Sequence, residues 1–150
     1  MALNVARFVS LLCVTLAMAA SAAHVLELPN KIHLAQSDYF VVQQIYRGWA
    51  LLGIVVVGAL IATLALVLLQ RARGEPFGTA LAAWVCIAAT QAVFWIWTFP
   101  VNRATRNWSV APADWEALRM QWEFSHAAAA LLNLGALVLL IVSVLRSRAG

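Results

Sequence analysis

The chain has 150 residues, of which 64% are hydrophobic and 11% charged, with a formal net charge of +4. Soluble domains carry about 45–50% apolar and about 25% charged residues, and a domain this small keeps much of its surface in solvent, so a soluble globular fold is excluded and lipid is the natural solvent for the excess. The positive charge is dispersed, with no dense basic stripe, which points to membrane topology and against a nucleic-acid partner.

Four apolar runs follow one another, at about 8–28, 48–69, 79–99 and 127–145. Each is close to the ~20 residues that a helix needs to cross the hydrocarbon core. Helices satisfy their own backbone groups in lipid, and the runs lack the alternation of membrane barrel strands. No solenoid repeat or low-complexity linker interrupts them. The expected fold is all-α: one integral membrane domain, a four-helix bundle with short helical extensions on the outer side.

The first run has two readings. Arg7, the apolar stretch from Phe8 and then Ala20-Ser21-Ala22 resemble a signal peptide with a small-residue cleavage site. Against cleavage, Cys13, Ala17, Ala20, His24 and Glu27 form one stripe of small and polar residues, a packing face that a discarded segment does not need. Pro29 is expected to end this helix. Ser37 is expected to cap a new one running through Tyr39, Gln43 and Tyr46 into the second span. Within that span Gly58 and Ala62 have small-xxx-small spacing and mark close packing.

A short connector with Arg71 and Arg73 leads to the third span, where Gln91, Trp95, Thr98 and Asn102 share a stripe. Pro112 suits a helix first turn. From there Trp115, Arg119, Trp122 and His126 recur on one face, so the fourth helix should begin well outside the membrane and run into it unbroken. Asn133 lies two turns below His126. These polar positions read as cross-helix hydrogen bonds or as a polar track from the outer surface into the membrane.

Arg7, Arg71, Arg73, Arg146 and Arg148 predict a cytoplasmic location for both termini, in a bacterial inner membrane. Lys31, Arg47, Arg103, Arg106 and Arg119 fall on the opposite side, but Glu27, Asp38, Asp114, Glu116 and Glu123 accompany them, the mark of a structured surface. Trp49, Trp95, Trp97, Trp108, Trp115 and Trp122 also gather there. They read either as an interfacial belt or as the wall of a pocket for a flat apolar, quinone-like ligand, with Trp95, Trp122 and Arg119 as its contacts.

Two short patterns sit at this outer level, His24-x-x-Glu27 and Glu123-x-x-His126. Residues three apart share a helix face, so each helix offers an imidazole and a carboxylate together; His33 is near in sequence. His24, Glu27, Glu123 and His126 form a candidate ligand set for a transition metal, iron, copper, manganese or zinc. Bundle di-iron proteins also use Glu-x-x-His, but they add glutamates from two further helices. The second and third spans here have none, which favours a mononuclear site. In the alternative reading the glutamates pair with Arg103, Arg106 or Arg119 and the histidines hydrogen-bond at the interface. His126 is the candidate proton acceptor by residue type, with Asn102 and Arg106 to orient or stabilise an oxyanion. Cys13 and Cys86 lie within spans at different depths and are not expected to pair. The absence of outer cysteines excludes a thiolate zinc site there, and no phosphate-binding, dinucleotide or nucleophile-elbow motif is present.

Phe99-Pro100-Val101-Asn102 after the third span, then Trp115, Leu118, Trp122 and Ser125-His126-Ala127 entering the fourth, resemble the anthrone-oxygenase-like family of small four-helix membrane proteins. The resemblance covers the four-span layout and about the last third of the chain in detail; the first outer segment, from His24 to Lys31, marks a distinct subgroup. It implies oxidation of a polycyclic aromatic substrate and carries over to Asn102, Trp122 and His126. Two functions therefore stand: a small membrane redox enzyme, or a non-catalytic membrane component that binds lipid, a quinone or a partner subunit through its arginines and tryptophans.

Overall fold

The computed structural model describes residues 1–146 and contains helices and turns with no strand among them. Arg148 lies outside the described residues. In chain order the elements are α1 (Ala2–Lys31), α2 (Gln36–Gln43) prolonged by a 3-10 turn at Gln44–Tyr46, a second 3-10 turn at Trp49–Leu51 leading into α3 (Leu52–Ala72), α4 (Gly78–Val93), a π-helical segment at Phe94–Thr98, α5 (Phe99–Ala104) and α6 (Trp115–Arg146). Four continuous helical stretches, Ala2–Lys31, Trp49–Ala72, Gly78–Ala104 and Trp115–Arg146, are long and apolar enough to cross a membrane. The first apolar run is thus a full member of the bundle.

α1 packs on α3 and α6, and α4 packs on the same two helices. The buried positions explain this ring. Leu3, Ala6, Ser10, Val14, Ala17, His24 and Lys31 in α1, and Asn133, Ala136, Leu140 and Ser143 in α6, recur at intervals of three, four or seven, the seam of gently supercoiled helices. Size is sorted inside out. Ser10, Ala59, Thr63, Ala80, Ala83, Thr90 and Ala136 are buried, whereas Phe8, Leu12, Leu16, Ile54, Ile61 and Leu131 are exposed. In lipid, large apolar side chains gain little by moving inward, and small residues let backbones approach. Gly58 shows the approach directly: a Cβ there would meet Cys13 Sγ of α1 at 3.3 Å. The cysteines are both free; Cys86 lies instead beside Gly135 of α6.

The two ends differ. Arg7 Nη2 pairs with Glu75 Oε2 at 2.8 Å, and Gln70 donates to Ser143 Oγ at 3.1 Å. The start of α1, the α3–α4 connector and the end of α6 therefore share one end. The opposite end, the rim, holds α2, the π-helical segment, α5 and the first turns of α6.

Several boundaries differ from expectation, each for a local reason. Pro29 does not end α1, which continues to Lys31. A proline removes one N–H, yet the following bonds can still form, and Ile32 N–H donates to Leu28 O at 3.0 Å. This overrun brings Lys31, two turns beyond His24, onto the same packed face. Ser37 is not a cap: Ala35 holds that position, and Ser37 Oγ hydrogen-bonds Asp38 at 3.4 Å. α2 does not run into the second span, because Arg47 is extended and Gly48 has φ +92°, a conformation that costs little only for glycine. Pro112 forms a turn ahead of α6, accepting the Trp115 N–H at 3.1 Å. The third span passes beyond Phe99 to Ala104 through the π-helical segment. Pro100 can give no hydrogen bond to Ile96 and its ring crowds that carbonyl; a widened turn accommodates both.

Close α1–α3 contact predicts that Gly58→Leu lowers stability to unfolding in detergent by about 1–3 kcal/mol, the usual effect of overpacking. Gly53→Leu, where a Cβ meets nothing within 4 Å, leaves it unchanged. Equal effects would contradict the packing described.

Candidate functional site at the rim

Lys31 is the centre of the rim. It is 2% exposed, and Glu123 is 1% exposed. A charge taken out of water is tolerated only when paired and hydrogen-bonded. The ammonium has three N–H groups and three oxygen neighbours: Tyr46 Oη at 2.6 Å, Glu123 Oε1 at 3.2 Å and Glu27 Oε2 at 3.5 Å. It also lies 4.6 Å from the Tyr46 ring centre and 5.0 Å from that of Trp122, within cation–π range. Tyr46 donates to Glu27, and Tyr39 donates to Glu123 Oε1 at 2.7 Å. One cation thus joins two carboxylates and two phenols drawn from α1, α2, the following 3-10 turn and α6.

Beside this network the two imidazoles meet. The rings of His24 and His126 are 4.2 Å apart, centre to centre. Around His24 stand Tyr46 at 4.5 Å, Trp122 at 5.0 Å and Trp49 at 5.4 Å, and Trp122 is 4.0 Å from His126. His126 Nδ1 lies 2.8 Å from the Trp122 carbonyl oxygen. A carbonyl can only accept, so Nδ1 carries the hydrogen and the lone pair of the neutral ring is at Nε2. His24 and Trp122 are buried, while His126 is half-buried. His24 Nδ1 is buried without a hydrogen-bond partner.

A small aromatic core supports both groups: Tyr39, Val101, Trp108 and Trp122 are buried together. Trp108 reaches it from a left-handed turn in which Arg106, Asn107 and Trp108 have φ of +48°, +55° and +61°. Such backbone is unfavourable for L-residues by roughly 1–2 kcal/mol each. It is held by the Trp108 N–H on Thr105 Oγ1 at 3.1 Å and by Gln44 Nε2 on the Trp108 carbonyl at 3.2 Å.

The four residues proposed as metal ligands come to the same end but do not form one ligand set. The carboxylates are engaged by Lys31 and the tyrosines, the imidazoles lie against each other and the aromatic rings, and among the described residues no group of three or more His, Cys, Asp or Glu is arranged to hold a metal ion. The partner of Glu27 and Glu123 is Lys31, not Arg103, Arg106 or Arg119. Arg119 donates to Leu34 O at 2.8 Å and stacks on Trp115 at 4.7 Å, so it ties the α1–α2 turn to α6. Asn102 Oδ1 accepts the Trp122 Nε1 hydrogen at 2.9 Å, which fixes the ring that lies on His126. Arg106, His33 and Trp95 are exposed and take no part in this cluster. Deeper polar residues do bridge helices: Thr98 with Ser125 at 2.8 Å, and Asn133 to Ser21 at 2.7 Å.

Lys31, Tyr39 and Tyr46 are the members that patterning overlooked. The signal was there as a spacing of seven, His24 to Lys31 and Tyr39 to Tyr46, which returns a residue to the same face of a helix. Comparison with family models, curated proteins and solved structures returns no match.

Tyr39 and Tyr46 are the only tyrosines in the chain, so alkaline titration of phenolate absorbance reads this site alone. Burial first, and then the Glu123 carboxylate, pushes the Tyr39 phenol well above the usual range; burial and the hydrogen bond to Glu27 do the same for Tyr46. Both should ionise well above the ordinary value of about 10 in the folded protein and near it in denaturant. Above that pH the unfolded chain loses protons that the native chain keeps, so stability falls as pH rises. Ordinary titration in the folded state would contradict the network.

Proposed function

We propose that this chain is an integral membrane protein that binds a flat aromatic, quinone-like ligand at the rim, with His126 accepting a proton from the ligand's hydroxyl form. The observation that carries this reading is the pairing of His24 with His126 at 4.2 Å inside a wall of Trp49, Tyr46 and Trp122, with the His126 tautomer set by the Trp122 carbonyl. Aromatic walls with a few fixed polar groups are the usual make-up of sites for such ligands. A base with its lone pair at a defined nitrogen suits proton exchange. The level is also right. About 20 residues counted back from the end of α6 cross the hydrocarbon core, which leaves His126 at its boundary, where an amphipathic ligand arrives from lipid.

The resemblance to the anthrone-oxygenase-like family supports an oxidative use of the same site on a polycyclic phenol, since His126, Trp122 and Asn102 are the residues shared. In this reading Asn102 is a positioning residue that holds Trp122, and Lys31 with its carboxylates keeps a polar, charged floor beside the imidazoles. Arg7, Arg71, Arg73 and Arg146 support a cytoplasmic connector end, with the rim facing away from the cytoplasm of a bacterial inner membrane.

Binding is read by quenching of tryptophan fluorescence with a short-chain benzoquinone and with its reduced form. The native protein should saturate, and His126→Ala should weaken the reduced form about tenfold or more with less effect on the oxidised form, because only the hydroxyl donates to Nε2. Chelation of divalent metals should leave both unchanged. No saturable quenching, or equal losses for both forms, would overturn the proposal.

A further inference from the structure

A second site lies on the lipid-facing side of the rim, apart from the histidines. An open surface groove is lined by Trp95, Phe99, Pro100, Arg103 and Ala104. Trp95 is 59% exposed and its ring centre is 5.0 Å from that of Phe99, so two rings form an apolar shelf. Arg103 is the only charged residue in the lining. Its exposed guanidinium has no ion pair or side-chain hydrogen bond among the described residues, and no acidic residue lines the groove.

Depth identifies what meets this surface. Counting the ~20 residues of a membrane crossing from Gly78 ends near Trp97. Trp95 therefore falls at the interface, where indole rings favour the boundary. Arg103 stands about 9 Å further along at 1.5 Å per residue, in the headgroup layer. We propose that the groove is a site for an anionic phospholipid, with the phosphate on Arg103 and the first carbons of the acyl chains on Trp95 and Phe99. An unpaired guanidinium is matched by phosphate oxygens in bidentate geometry. A zwitterionic lipid brings its own cation to the same place and gains less. The site is independent of the ligand proposed for His126.

The test is native mass spectrometry of the full chain in detergent, titrated with phosphatidylglycerol and with phosphatidylcholine. The native protein should hold phosphatidylglycerol roughly fivefold more tightly, the effect of one basic residue near an anionic surface. Arg103→Gln should abolish that preference, and Trp95→Ala should weaken both lipids. Both side chains are exposed, and neither belongs to a buried core cluster. Arg106→Gln, outside the groove, and His126→Ala should leave the preference intact, and excess inorganic phosphate should not displace the lipid. A preference that survives Arg103→Gln, falls as much with Arg106→Gln, or is erased by free phosphate would overturn the proposal.

Discussion

The rim depends on one constraint: the Lys31 ammonium is out of water and must be neutralised where it stands. An isolated ion in a low-dielectric interior is unfavourable by many kcal/mol, and the burial holds only if pairing and hydrogen bonding are complete. Glu27 from the same helix, Glu123 from α6 and Tyr46 from the turn after α2 supply that shell. Tyr39 adds a hydrogen bond to Glu123 Oε1 from α2, while Glu123 Oε2 is buried without a partner. Each partner comes from a different element, so satisfying one charge fixes α1, α2 and α6 relative to one another. The imidazole pair, the Trp122 ring and the Trp108 turn are built on that fixed frame.

Below the rim the bundle is held differently. Small residues fill much of the helix seams, with Val14, Leu66, Ile87 and Leu140 buried among them and many other large apolar side chains facing outward, so association rests on close packing and on sparse polar bridges such as Asn133 to Ser21 and Gln70 to Ser143. Bridges of this kind contribute about 0.6 kcal/mol each. The bundle body therefore provides shape, while the rim provides specificity of arrangement.

The four spans, the outer run of α6 and the gathering of tryptophans at one end were legible because hydropathy and period act over twenty residues at a time. The failures are local. Pro29 reads as a helix end and the third run is bounded at about residue 99, yet each helix continues, one by tolerating a single missing bond and the other by widening into a π-helical segment. The break at Gly48 rests on a positive φ that no hydrophobic pattern reports. At the site, sequence spacing correctly placed His24 and His126 on facing helices, but it assigned the glutamates to a metal or to arginines. Which cation reaches them depends on how far α1 overruns Pro29, and that is a tertiary outcome. The bond from Arg119 to the backbone carbonyl of Leu34 is tertiary in the same way.

The most direct test of this account is a double-mutant cycle on Lys31 and Glu123, measured as unfolding free energy in detergent. Lys31→Met alone should destabilise by about 3–5 kcal/mol, because it strands the buried Glu123 carboxylate, and Glu123→Gln in the same background should restore much of that loss. A coupling of roughly 1 kcal/mol or more between the two changes is the predicted result. Additive effects, or a Lys31→Met protein as stable as the native chain, would contradict the claim that this ion network fixes the rim.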